Sequence, residues 1–433
     1  MKWRKIRIGS LCRKATTRDP RQQPDTPFRY IDISSIDREQ KLIASSTEII
    51  GVEAPGRARQ VVLAGDVLVS TVRPNLNAVA MVPPELEGEI ASTGFCVLRA
   101  VENLILPKFL FYFTRTDTFI NALLQHVRGA NYPAVTDRNV LSVEIPWPTL
   151  TEQRQIVEIL DQADALRQQR RAADEKIQRI LPALFYRMFG DPLENPLGFP
   201  IEPVGDLLVL LRNGTTAEQN QVGRGYPVTR IETISAGVIA PERVRYVELS
   251  ETDVAKWRLE RGDILFSHIN SESHIGKTAI YQGCPSPLIH GMNLLLMRPD
   301  KRKVRPEFLF AVLNSPSVRD AYRQRSKRAV NQASLNQKDI SELMVAVPAL
   351  DEQERFCVCA EKLLTQLEVQ RHTRDKVISL YDNLLHRAFT GELTAKWREA
   401  HREEVEAEMQ AQAKVLAGPV ARPASRGGKR GNP

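Results

Sequence analysis

Apolar and polar positions along this chain alternate between two textures, and each texture occurs twice. Over about 1–148 and again over 200–348, short β-type apolar runs are broken by Gly, Pro, Asn and Asp. VVLAGDVLVST and RGDILFSHI each read as a Gly-Asp turn feeding a strand. Two helices follow in each half. One opens on Pro107 or Pro306, in the first-turn position that proline tolerates; the other starts near Asp117 or Ser317, residues suited to capping. The pattern predicts a mixed α+β globule of about 150 residues in each half.

The second texture is a long helix. Thr151–Phe189 and Asp351–Phe389 contain no glycine, and each opens on Thr or Asp followed by Glu-Gln. Spacing that alternates 3 and 4 selects Ile156, Ile159, Ala163, Leu166, Ile177, Ile180 and Leu184 in the first, with Arg170 and Ala173 between them. The same register selects Phe356, Cys359, Leu363, Val377, Leu380 and Leu384 in the second, around Gln366, Gln370 and Thr373. Both read as coiled-coil seams with apolar ends and a polar middle. At ~1.5 Å per residue each makes a rod of about 45–60 Å. Pro182 removes a backbone donor and predicts a kink or an end to the first helix. Two such helices most simply pair with each other as an antiparallel coiled coil, with the globules at opposite ends and pseudo-twofold symmetry.

The repetition is close in detail. PFRYIDISSI from Pro27 answers PVTRIETISA from Pro227, Gly65-Asp66 answers Gly262-Asp263, and Pro107 answers Pro306, at offsets of 200, 197 and 199. From Asn131 the offset settles at 200 and holds to Phe189 and Phe389. Ordered blocks at one offset mark a duplication. The boundaries that follow are a first globule over 1–150, the first helix and linker over 151–199, a second globule over 200–350 and the second helix over 351–398. The remainder, 399–433, is first helical and then a Pro/Gly/Arg tail expected to be disordered.

Composition narrows the class. The 433 residues carry a formal charge of +8 and a pI near 9.2, which favours a polyanionic partner. Fifty-two acidic residues against 60 basic ones exclude a histone-like chain. Five cysteines form no CxxC pair and are odd in number, against both a zinc site and a disulfide framework. No run approaches the roughly 20 apolar residues of a membrane helix, and the start lacks a signal-type apolar run. A cytoplasmic chain without a membrane span is expected.

Candidate chemistry lies in the loops. After each Gly-Asp strand comes a polar loop, carrying Arg73, Asn75 and Asn77 in the first half and His268, Asn270, Ser271 and His274 in the second. Arg, Asn and His pair with base edges in a groove, so these are candidate base readers. Arg128, Asn131 and Tyr132, answered by Arg328, Asn331 and Gln332, precede a predicted helix and suit a phosphate. Arg319, Arg323 and Lys327 fall at i, i+4 and i+8 as a basic stripe for phosphates, whereas Lys301, Arg302, Lys303 and Arg305 read as a solvated turn. Gly276-Lys277-Thr278 looks like the end of a phosphate-binding loop, but Ser271 stands where that motif needs glycine; Lys277 is kept as a DNA contact. Pro24-Asp25 with Glu39-Gln40-Lys41 has the look of a metal-dependent nuclease, a short pattern that the second half does not repeat. Pro83-Pro84 lacks the neighbours of an amino-methyltransferase loop, and His290 has no triad partner at a recognisable spacing.

The order of GDVLVS or GDILFS, a loop such as RGANYPAVTDRNV, then IPWPTLTEQRQI opening a helix that closes on LFYRMFGDP, is repeated as LMVAVPALDEQERF and NLLHRAFTGEL. Over Met1 to about Arg398 this resembles the specificity subunit of type I restriction–modification systems. The resemblance implies a target-recognition domain for double-stranded DNA in each globule and a spacer helix that doubles as a docking surface. Its implied partners are two methyltransferase subunits and the restriction–translocase subunits. It implies no catalysis by the chain itself, and no cofactor or metal is expected. Gly129 becomes Ala329 in the second half, a departure from the pattern, and the target bases do not transfer. Two alternatives stand beside it: a self-contained nuclease using Asp25, Glu39 and Lys41, and a protein scaffold that reads no DNA.

Overall fold

The computed structural model describes residues 3–127, 133–235, 237–271, 274–329 and 332–417. The chain forms two compact units, Met1–Gln169 with Lys376–Pro433 and Arg170–Asp375. Sequence reasoning drew the boundaries at the globule–helix junctions. Instead, each unit takes the start of one long helix and the end of the other.

In the first unit a four-stranded antiparallel sheet runs in the order Cys12–Arg13, Phe95–Ala100, Val67–Ser70, Val79–Met81. Its residues alternate between two cores, as strand geometry requires. Val67, Val69, Cys96 and Leu98 face the core shared with the helices, while Leu68, Phe95, Val97 and Ala80 face an outer core. A second sheet, ordered Thr47–Ile50, Pro27–Ile31, Ile90–Ser92, Ala58–Val61, completes the globule. The other unit repeats the arrangement. Leu208–Asn213, Leu295–Pro299, Ile264–Phe266 and Thr278–Ile280 form its central sheet, with Ile264, Phe266 and Met297 toward the helices and Leu265 and Leu296 away from them.

The Gly-Asp motif has a structural role in both halves. Gly65 and Gly262 adopt φ of +84° and +96°, which glycine tolerates without strain. The carboxylate of Asp66 accepts from the Leu63 amide and from Arg99 Nη2 at 2.7 Å. Asp263 accepts in the same way from the Glu260 amide and from Arg298 Nε and Nη2, each at 2.8 Å. A buried acid thus ties the turn to the neighbouring strand.

The long helices span Leu150–Phe189 and Leu350–Thr390. In the first unit Ile156 and Leu160, at the start of one, share a core with Tyr381, Leu385 and Phe389, at the end of the other. In the second unit Phe356, Ala360 and Leu364 join Leu181, Phe185 and Phe189 in the same antiparallel sense. The seam sits about one residue from the expected register. Leu160, not Ile159, is buried; Leu166, Ile180 and Leu380 are 48%, 44% and 52% exposed, and Cys359 is exposed. Ala163, Ile177, Leu184, Leu363, Val377 and Leu384 are half-buried, and Ile156 and Phe356 fully buried. In the polar middle Arg167 pairs with the largely buried Asp164, and Arg170 with Asp174. The first helix continues through Pro182 to Phe189, because burial of Leu181 on one side and Phe185 and Phe189 on the other outweighs one lost backbone bond.

A buried glutamine fastens each helix start to its globule. Gln153 Oε1 accepts from the Leu106 amide at 2.9 Å and its Nε2 donates to the Pro148 carbonyl; Gln353 does the same with Arg305 and Pro348. The C-terminal stretch is no simple tail. Its helix Arg402–Ala417 puts Gln412 Oε1 on the Leu150 amide (3.2 Å) and Glu408 Oε1 on the Thr151 amide (3.0 Å), two of the donors that a helix N-terminus leaves open. Glu152, fully buried, accepts from Trp3 Nε1, Thr394 Oγ1 and Arg398 Nε. The tail proper, 418–433, lies outside the described residues.

Candidate nucleic-acid interface

In both globules the two loops singled out from sequence are joined at their edges. In the first, Val72 bridges to Ala134, the Val135 amide donates to the Thr71 carbonyl and the Arg73 amide donates to the Pro133 carbonyl at 2.7 Å. In the second, Ile269–Asn270 pairs antiparallel with Ala333–Ser334, and that strand pairs in turn with Lys327–Ala329. The loop after each Gly-Asp strand therefore meets the loop that follows the paired helices of its own globule.

The individual candidates separate. Arg73 and Asn75 are exposed, with Arg73 at φ +51°. Asn77 is a correction: it is buried, donates from Nδ2 to the Thr114 carbonyl, and accepts from Lys41 Nζ at 2.8 Å. With its φ of +44° and both side-chain polar atoms engaged, it holds the loop. His268 is also corrected. Its ring is buried with Nδ1 lacking a hydrogen-bond partner, and burial lowers its pKa. Asn270 is half-buried and donates to Ser267 Oγ, while Ser271 and His274 are exposed and joined at 3.1 Å. Arg128, Asn131, Tyr132 and Asn331 lie outside the described residues. Arg328 and Gln332 are placed by backbone pairing alone, Arg328 opposite Ala333 and Gln332 opposite Ala329.

The basic stripe is shorter than expected. Its helix, Pro316–Arg325, buries Val318 and Tyr322 and ends before Lys327, which is exposed on the following strand. Arg323 pairs with Asp320 at 2.6 Å. Arg319, Lys277 and His274 nonetheless belong to one cationic cluster: burial first, then the mutual repulsion of Arg319 with its neighbours, lowers the pKa of Lys277, and the same pair acts on His274. Lys277 precedes the strand Thr278–Ile280, not a helix, so the resemblance to a phosphate-binding loop ends there. The solvated turn is neutralised by acids, Arg302 by Asp300, Lys303 by Glu202 and Arg305 by Glu354. His290 is fully buried, and burial pushes it down to about 4, while its Nε2 lies 3.0 Å from the Leu294 carbonyl. Lys41 is committed to Asn77, and among the described residues no group of three metal-ligating side chains occurs.

Known proteins resemble this chain in sequence and fold. The family model described as the type I restriction modification DNA specificity domain matches twice, over residues 1–177 and 200–377. The chain belongs to that family. Members of the type I specificity family are recognition subunits without catalysis of their own, and neither the site nor the relatives support the nuclease alternative. A putative type I restriction enzyme MjaX specificity subunit of Methanocaldococcus jannaschii is 44% identical over 193 residues, 44% of this chain and 41% of that protein. This chain thus matches less than half the length of that relative. The EcoKI specificity subunit of Escherichia coli is 28% identical over 72% of this chain and 70% of its own. A solved chain from a study of complex assembly and conformational transition of the type I R-M system is 29% identical, with a TM-score of 0.51 over 90% of this chain and 98% of that one. No helix among the described residues is long and apolar enough to cross a membrane.

Within this specificity-family fold, sequence reasoning missed the paired glutamines, Gln153 and Gln353. The signal was present in the matching blocks PTLTEQ and PALDEQ.

Proposed function

We propose that the chain reads a bipartite, asymmetric target on double-stranded DNA in the cytoplasm, one globule per half-site, and carries two methyltransferase subunits and the restriction–translocase subunits to it. The observation that supports this most directly is that the same two loops are joined in both globules but carry different side chains. Arg73 and Asn75 stand where the other half has Asn270, Ser271 and His274. Equivalent placement with different chemistry suits half-sites of different sequence. Lys327, exposed beside the joined loops, adds a phosphate contact in this reading, which makes binding salt-sensitive. The test is co-expression with the methyltransferase subunit encoded beside the gene, followed by a genome-wide map of methylated adenines. One two-part motif, changed in one part only by replacing one globule, supports the reading. A stable complex that leaves no motif overturns it in favour of a scaffold.

A further inference from the structure

One position in the repeat is filled in the first globule and hollow in the second. In the first unit the Arg115 guanidinium lies 5.4 Å from the Tyr112 ring and 4.9 Å from the Tyr381 ring, and pairs with Asp164 at 3.1 Å. Arg167 covers the Tyr381 ring at 4.7 Å and pairs with the same carboxylate at 2.8 Å. Lys41 stands beside them: burial, then the two arginines, brings its ammonium down to about 8.

Strand and helix registers identify the matching positions in the other unit. Lys41 and Gly237, with φ of +58° and +81°, each precede a short strand, Leu42–Ile43 and Val238–Ile239. Helices Pro107–Thr114 and Pro306–Asn314 start at an offset of 306 − 107 = 199, which sets Ala311 against Tyr112 and Asn314 against Arg115. The offset of 200 in the long helices sets Leu364 and Leu367 against Asp164 and Arg167, and Leu181 against Tyr381. Every one of these changes removes bulk or charge. What remains is a partly open cavity of about 310 Å³, walled by Leu181, Phe185, Ile234, Phe310, Leu364 and Leu367.

Two cations line the same cavity, Lys277 and Arg319. Neither makes an ion pair among the described residues, and Arg319 Nε is buried without a hydrogen-bond partner. Where the first globule supplies its own rings and carboxylate, the second offers apolar walls and unmatched positive charge. We propose that this cavity binds a small amphipathic anion, its ring-bearing apolar body against Phe185, Phe310 and Leu364 and its carboxylate, sulfonate or phosphate at Lys277 and Arg319. The volume is at the lower end for ligand sites and suits a ligand of about 20 heavy atoms. A DNA backbone phosphate could satisfy the cations but leaves the apolar recess empty. The proposal stands apart from whether the loops read DNA.

The probe is 8-anilinonaphthalene-1-sulfonate, with N-phenyl-1-naphthylamine as the same body without the anion, titrated by fluorescence into the full-length chain. One saturable sulfonate site per chain is expected, at least about tenfold tighter than the neutral amine. Ala311→Tyr, which restores the ring that Tyr112 supplies in the first half, should abolish that site. The paired change Lys277→Gln with Arg319→Gln should weaken the sulfonate about tenfold and leave the amine unchanged, a result that misfolding does not mimic. Equal affinity for the two probes, or wild-type sulfonate binding in Ala311→Tyr, overturns the proposal. So does a site blocked by the methyltransferase subunit together with failed assembly in Ala311→Tyr, which assigns the recess to a partner's side chain. Should Ala311→Tyr not fold, the charge variant decides alone.

Discussion

Asn77 and His268 show why residue type alone misplaces a reader. Asparagine and histidine suit base edges, but their donors and acceptors serve equally well inside a loop, and Asn77 is spent on Thr114 and Lys41. Their neighbours Arg73, Asn75 and His274 stay exposed, a difference set by packing from distant segments that no local pattern carries. The same holds for Asp66 and Asp263: the turn was legible, the arginine 33 or 35 residues away was not. Gln153→Leu takes the partner from the Leu106 amide and from the Pro148 carbonyl and should cost about 2–4 kcal/mol by denaturant unfolding. His290 supplies a pH test. The unfolded chain takes up its proton near pH 6.5, the folded one only at about 4, so its contribution is complete above pH 6.5 and is lost as pH falls toward 4. That loss amounts to roughly 3 kcal/mol at most, and His290→Gln should flatten the dependence of stability on pH in this window.

The helices show how far periodicity reaches. Their existence, length and antiparallel pairing follow from the apolar ends, whereas the register is lost in the polar middle, where Asp164 and Asp174 occupy buried positions that a hydrophobic pattern passes over. Starting from Ile156, both Ile159 and Leu160 are acceptable by spacing, and packing chooses Leu160. Leu160→Ala should therefore lower stability by about 2–4 kcal/mol, against less than about 0.5 for Leu166→Ala, read from urea midpoints. Equal effects would refute the shifted seam. At the other end of the second globule, the helix bearing Arg319 stops at Arg325, so Lys327 gains a strand position that helical spacing does not predict.

At the scale of the molecule the duplication was fully legible, since offsets near 200 recur in ordered blocks; the hollow of the second globule was not, since it is made by substitutions scattered from Leu181 to Leu367. Exchanging Arg73 and Asn75 for alanine should relax one half of the methylated motif and leave the other intact, a result read from the same methylation map. The interleaving of the units has a consequence for synthesis. The first unit needs residues from Lys376 onward, including the Gln412 and Glu408 that cover the start of its helix, whereas Arg170–Asp375 is continuous. A ribosome must add 375 − 169 = 206 residues between the two parts of the first unit. At about 5–20 residues per second this is roughly 10–40 s during which Val67, Phe109 and Leu160 lack their final cover. The unit synthesised first is thus the last to be completed, and a chain that stops at Asp375 exposes the core of its first half, not its second.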